Sequence, residues 1–167
     1  MTKKIPLTDL PTGIILALRM SRQKLDDAEL LISIESFEDA VILIQFAVEE
    51  FGKAVALREN LEKGNEQVED DLFKNHPYKE AKAWSVLPGD LKTIYEGTFS
   101  PQAFSAQDFD AGKETISHKT RINATFVDWV AGNWKTGVQA EPDKLLRLIK
   151  GLRKEIEDFN VAGVSAR

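Results

Sequence analysis

Cysteine is absent from the 167 residues. That excludes a disulfide framework, a thiolate zinc site, an iron–sulfur cluster and a cysteine nucleophile. Histidine is nearly absent: His76 and His118 are the only two, too few for an internal histidine metal cage. Neither has a glutamate three residues before it, so the Glu-x-x-His pairs of a diiron bundle are missing. No Gly-rich phosphate loop, His-Glu-x-x-His, Gly-x-Ser-x-Gly or EF-hand pattern occurs. Long hydrophobic runs are missing too. The longest, Ala40 to Val48, contains Gln45 and is far short of a membrane span. Gly13 to Leu18, behind Lys3 and Lys4, is too short for a secretory core and is closed by Arg19. A cytoplasmic protein with no membrane segment, no bound metal and no cofactor is expected.

What remains is an ordinary globular composition: 43% hydrophobic and 29% charged residues, with 27 acidic against 22 basic side chains and a formal net charge of -5. At this length one domain spanning 1–167 is expected, with 1–11 and 160–167 as flexible ends. Such a chain buries roughly 68–70% of its unfolded surface and needs no covalent staple. The mild acidity argues against a sequence-blind nucleic-acid coat, while a local basic patch stays open.

Apolar periodicity predicts a first helix over 12–34, with Thr12 as N-cap behind Pro11. A second helix is predicted from Ser36, where Ser36 and Asp39 have capping-box spacing, to about Lys63, with Gly64-Asn65 as its stop. This second helix is apolar on all sides between Ala40 and Leu57, so it is expected at the centre. Gln67 to Trp84 reads as helical, with Pro77 either opening or kinking the helix. A short helix is predicted from Pro88-Gly89-Asp90 to about Tyr95, a loop over 97–107, another helix over 108–122 and a short extended segment near 124–129. A last helix is predicted from Glu141-Pro142-Asp143 to about Phe159. The fold class is therefore all-α, an antiparallel bundle of four to five main helices.

Three stretches carry polar chemistry. Glu49-Glu50-Phe51-Gly52-Lys53 lies inside the central helix. Lys53 is four residues from Glu49 and three from Glu50, so either carboxylate can pair with it. Gln45 precedes Glu49 by one turn. Charges there face a polar pocket, close an internal pair or form a surface salt bridge. Gly52 costs a helix about 1 kcal/mol relative to Ala, which points to close approach by another helix or a ligand. Asn75-His76-Pro77-Tyr78-Lys79 offers a histidine able to move a proton near neutral pH and a lysine able to hold a phosphate, or is a plain Lys-rich turn. Lys113 to Arg121, which includes His118, is the most basic stretch and suits either phosphate contact or a solvated helix face. Trp129 and Trp134 flank a turn, available for stacking on a base or for packing.

Ser21 to Ala56 resembles the opening of the AbiV abortive-infection family, a branch of the HEPN superfamily. The resemblance rests on Asp27-Ala28 with Leu30-Leu31, Ser36-Phe37, and Glu49-Glu50-Phe51-Gly52-Lys53-Ala54. Phe73 to Lys79 is similar to the family's Phe-x-x-His-x-x-Lys segment. Arg121 to Trp129 is similar to its later basic stretch, with Phe126 in place of Tyr. The ordered set spans most of residues 12–150. The resemblance implies a HEPN-type helical bundle, a homodimer and a role in phage defence. It also implies a shared polar site in which His76, Lys79 and Arg121 are catalytic while Glu49, Glu50 and Lys53 orient the pocket or bind ligand. RNA or a nucleotide is the implied partner, and metal-independent endoribonuclease action the implied chemistry. Many HEPN ribonucleases use Arg-x4-6-His, but no arginine precedes either histidine here at that distance. Lys113 stands at that distance before His118 without the planar fork of arginine. The alternative is a non-catalytic interaction module that senses a phage or host protein or partners a toxin.

Overall fold

The computed structural model describes residues 4–65, 67–69, 74–99, 128–130, 133–135 and 141–164. Among them are five helices: α1 (Leu10–Ser33), α2 (Phe37–Glu62), α3 (His76–Trp84), α4 (Gly89–Phe99) and α5 (Pro142–Val164). A 3-10 turn, Leu7–Asp9, precedes α1. Two small antiparallel ribbons accompany the helices. β1 (Lys4–Pro6) pairs with β2 (Gln67–Glu69), and β3 (Asp128–Val130) pairs with β4 (Asn133–Lys135). The architecture is all-α in class, a helical bundle with ribbon trim.

α1 and α2 form an antiparallel hairpin that is the main packing unit. α3 lies on α2, and α5 packs on α1, α2 and α4. The core is continuous through α1 (Leu18, Leu25), α2 (Ile44, Phe51), α4 (Leu91, Tyr95) and α5 (Leu148, Leu152). The centre of α2 is apolar all round because other helices cover it: Val41, Ile44, Ala47, Val48, Phe51, Ala54 and Val55 are all buried. Two polar contacts fix the neighbours. The Ser21 hydroxyl donates to the Ala47 carbonyl at 2.7 Å, across the α1–α2 interface. Arg58 donates from Nη1 to the Phe159 carbonyl at 2.7 Å, with its guanidinium 3.5 Å from that ring's centroid. Burial there lowers the Arg58 pKa, partly offset by Glu62.

Helix ends show where local sequence decides structure and where it does not. α1 begins at Leu10 with Pro11 in its first turn, so Thr12 lies inside the helix rather than capping it. Ser36 precedes α2, but its hydroxyl donates to the Asp39 carboxylate at 2.7 Å and caps no backbone N–H. α2 stops as expected. Gly64 adopts φ +65° while its N–H bonds Leu61 O and the Asn65 N–H bonds Asn60 O, a Schellman closure. Pro77 opens α3 rather than kinking it. Asn75 Oδ1 accepts from the Tyr78 N–H at 3.1 Å, which sets the start. The helix predicted from Gln67 is therefore replaced at 67–69 by a strand on β1. α4 runs on to Phe99, through Gly97, and α5 to Val164. Residues 4–11 hold β1, the 3-10 turn and the first residues of α1. The predicted helix at 108–122 and residues 124–127 of the extended segment lie outside the described residues. Residues 128 and 129 fall in β3, with Trp129 opposite Trp134 in the register.

The α1–α2 turn repeats the Schellman closure without glycine. The Glu35 N–H bonds Ile32 O and the Ser36 N–H bonds Leu31 O, and Glu35 takes φ +63°. A left-handed residue with a Cβ costs roughly 1–2 kcal/mol, part of which glycine returns as unfolded-state entropy. Glu35→Gly is therefore expected to stabilise the fold by about 0.5–1 kcal/mol, read as a raised midpoint in urea. A lowered midpoint would contradict this reading of the turn.

Candidate functional site

Gly52 determines where α3 can lie. A Cβ built at residue 52 would stand 1.7 Å from the Lys79 carbonyl oxygen and 3.1 Å from the Ala83 nitrogen. The missing side chain lets the α3 backbone rest directly on α2. Asn75 and Pro77 start α3 at the register that puts His76 and Lys79, three residues apart, on its α2-facing side.

These two residues converge on Glu49. The Glu49 Oε2 atom lies 2.5 Å from His76 Nδ1 and 3.1 Å from Lys79 Nζ. The Glu49 side chain is 3% exposed and that of Lys79 7%, whereas the His76 ring is 43% exposed. A buried acid and a buried base therefore neutralise each other beneath a half-exposed imidazole. A carboxylate accepts hydrogen bonds and donates none, so Nδ1 carries the His76 ring proton. In the neutral ring the lone pair then falls on Nε2, on the side away from Glu49.

Polarity continues below this trio. The Gln45 side chain is buried one turn before Glu49. Both its amide atoms and Glu49 Oε1 have no hydrogen-bond partner among the described residues. Tyr95 of α4 is buried against Trp84, with ring centroids 4.8 Å apart. Burial pushes its hydroxyl well above the usual phenol range. The negative charges of Glu80 and then Glu49 add to that, as does a hydrogen bond with Glu80. At the far end of α3, Lys82 pairs with Glu59 of α2; this hydrogen bond raises the Lys82 pKa, against the opposing effect of burial.

Glu50 and Lys53 stand apart from this trio. Lys53 Nζ lies 2.6 Å and 2.7 Å from the two Glu50 oxygens, so the three-residue spacing is the one used. Their side chains are 22% and 28% exposed and line a different cavity. Arg121 and His118 lie outside the described residues. Of the six residues expected at one site, Glu49, His76 and Lys79 come together, Glu50 and Lys53 form a separate pair, and Arg121 is not described. Tyr95 and Glu80 were not anticipated. Nothing in the periodicity of α4 separates a buried phenol beside carboxylates from an ordinary core aromatic.

The described helices form an all-α bundle, and its class is given by a family model. The HEPN_AbiV family model, described as AbiV, matches residues 9–147 and so spans all of this site. The chain belongs to the AbiV family. Comparisons with curated proteins and with solved structures give no match. Among the described residues no helix is long and apolar enough to cross a membrane.

Proposed function

We propose that the protein is a cytoplasmic abortive-infection factor of phage defence, acting as a homodimer of one-domain chains, whose Glu49–His76–Lys79 site engages RNA and cleaves it. One observation carries the reading: a half-exposed imidazole held through Nδ1 by a buried carboxylate that a buried ammonium already pins in place. That is the arrangement of a base with its orienting group. His76 Nε2 takes the proton of a ribose 2′-hydroxyl. The 2′-oxygen attacks the adjacent phosphorus and the 5′-oxygen leaves. The products are a 2′,3′-cyclic phosphate and a 5′-hydroxyl end, with the imidazolium returning its proton to the departing oxygen. The attack is internal to the substrate and calls for no added nucleophile. Glu49 orients the ring. Lys79 holds Glu49 in place through their ion pair, and Arg121 is assigned to the phosphate itself.

The test is cleavage of total RNA by the wild type and by His76→Ala. A loss of at least about 100-fold, the usual scale for a general base, with cyclic-phosphate ends in the wild-type products, is the expected result. Equal activity, or none in either protein, removes the catalytic role.

A second reading has its own support. Glu49 is spent on Lys79, and Glu50 on Lys53, so these charges also suit a structural role in a non-catalytic module that binds a phage or host protein or a toxin. Titration of labelled RNA separates the two. Binding that His76→Ala weakens favours the first reading, and absence of binding favours the second.

A further inference from the structure

One side of α1 is packed and the opposite side is bare. The packed side holds Leu18, Leu25, Ala28 and Ile32, with Ser21 reaching the Ala47 carbonyl of α2. Seven large hydrophobic side chains stay exposed among the described residues. Five of them belong to this one helix: Ile15, Leu16, Met20, Leu30 and, at its C-terminal cap, Ile34. Exposed apolar side chains gathered in one place mark an interaction surface. Their spacing is ordered. Leu16, Met20, Gln23, Asp27, Leu30 and Ile34 follow one another at intervals of four, three, four, three and four residues. At 3.6 residues per turn these positions fall within about 80° of arc. That alternation is the seam along which one helix packs lengthwise on another. α5 meets α1 through Arg153 at Asp26 and Glu29, beside this seam rather than on it.

The seam reads the same from either end: two apolar residues, a polar pair, then two apolar residues. A two-fold axis across the middle of α1 exchanges the ends, so this face is its own complement when a second copy is laid against it antiparallel. Leu16 and Met20 then meet the partner's Ile34 and the partner's Leu30. The charges select the same direction. Arg19 flanks the first half of the seam, and Asp27 lies in the second half. Antiparallel, Arg19 comes within reach of the partner's Asp27, and the symmetry makes that contact twice. Parallel, each group would face its own like charge, which opposes association. A foreign surface of either sign would match only one of the two charges. We propose that this outer face of α1 is the contact between two copies of the chain, laid antiparallel about a two-fold axis. The inference rests on the homodimer reading above and assigns its surface. It is independent of any RNA activity.

Sedimentation velocity of the full-length chain over a range of concentrations gives the dimer dissociation constant. The wild type is expected to be a dimer. Leu30 is 65% exposed, so Leu30→Glu leaves the core intact. It buries a charge in the contact and is expected to weaken the dimer by about 10-fold or more. Arg19→Asp and Asp27→Arg should each weaken self-association by about 10-fold or more, because like charges then face each other. An equimolar mixture of these two variants should dimerise at close to wild-type strength, since each supplies the charge that the other lacks. Val86 is an exposed apolar residue outside α1, and Val86→Glu should change nothing. A dimeric wild type that none of the α1 variants weakens would overturn the proposal and leave the homodimer reading standing. A mixture that stays as weak as its components would do the same. A monomeric wild type would overturn both.

Discussion

Gly52→Ala should destabilise the protein by about 3 kcal/mol, the upper part of the usual range for overpacking. In an exposed helix the same change would stabilise by about 1 kcal/mol, since alanine is the better helix former. The sign therefore decides the matter. The added methyl would sit 1.7 Å from a backbone carbonyl oxygen of α3, and backbone cannot rotate away as the far end of a side chain can. Relief requires that α3 lift from α2. That would draw His76 and Lys79 away from Glu49, so the loss of stability should come with a loss of whatever the site does. Urea unfolding of the two proteins measures the effect. A change smaller than about 0.5 kcal/mol, the scale of a neutral surface substitution, would mean that α3 does not rest on α2 at this glycine.

The second large effect is expected at Lys79. Removing one partner of a buried ion pair leaves the other buried and uncompensated, which typically costs 3–5 kcal/mol. Lys79→Met should approach that range, because both side chains are almost wholly buried and 3.1 Å apart. The contrast is Lys53→Met. Its pair with Glu50 is partly exposed and lies within one helix turn, so at most about 1 kcal/mol is at stake. Replacing Glu49 and Lys79 together, as Glu49→Leu with Lys79→Met, removes both charges and should recover much of the single-variant loss. Urea denaturation of the four proteins measures this. Similar losses at Lys79 and Lys53 would show that Glu49 is not closed by Lys79.

The sequence carried the bundle because helical periodicity is local and repeated. α1 and α5 hold it over most of their length, α2 is marked by its long apolar stretch between Ser36 and Gly64, and Gly64 and Pro77 act through their own backbones. Gly52 could be read as a contact point for the same reason: glycine in a helix is costly unless something lies against it. The site was legible only in part. Glu49 and Glu50 are both at pairing distance from Lys53, and an all-round apolar helix does not reveal its rotation. Which carboxylate turns toward α3 is set by packing against a segment some thirty residues away. The β1–β2 ribbon was invisible for a related reason. Two three-residue strands about sixty residues apart carry no period of their own, and Gln67–Glu69 became extended by pairing with Lys4–Pro6. The left-handed Glu35 gave no sign either, since glutamate has no preference for that conformation. In Tyr95, a core aromatic and a member of a polar interior look the same until Glu80 and Glu49 are seen beside it.

Nitrogen-15 chemical shifts of the His76 ring, recorded where the imidazole is neutral, test most directly whether Glu49 holds it through Nδ1. The expected spectrum has a protonated Nδ1 and a bare Nε2, the less common tautomer of a free histidine. A His76 ring that carries its proton on Nε2 would mean that Glu49 does not seat it, and the proposed base would lose its orienting group.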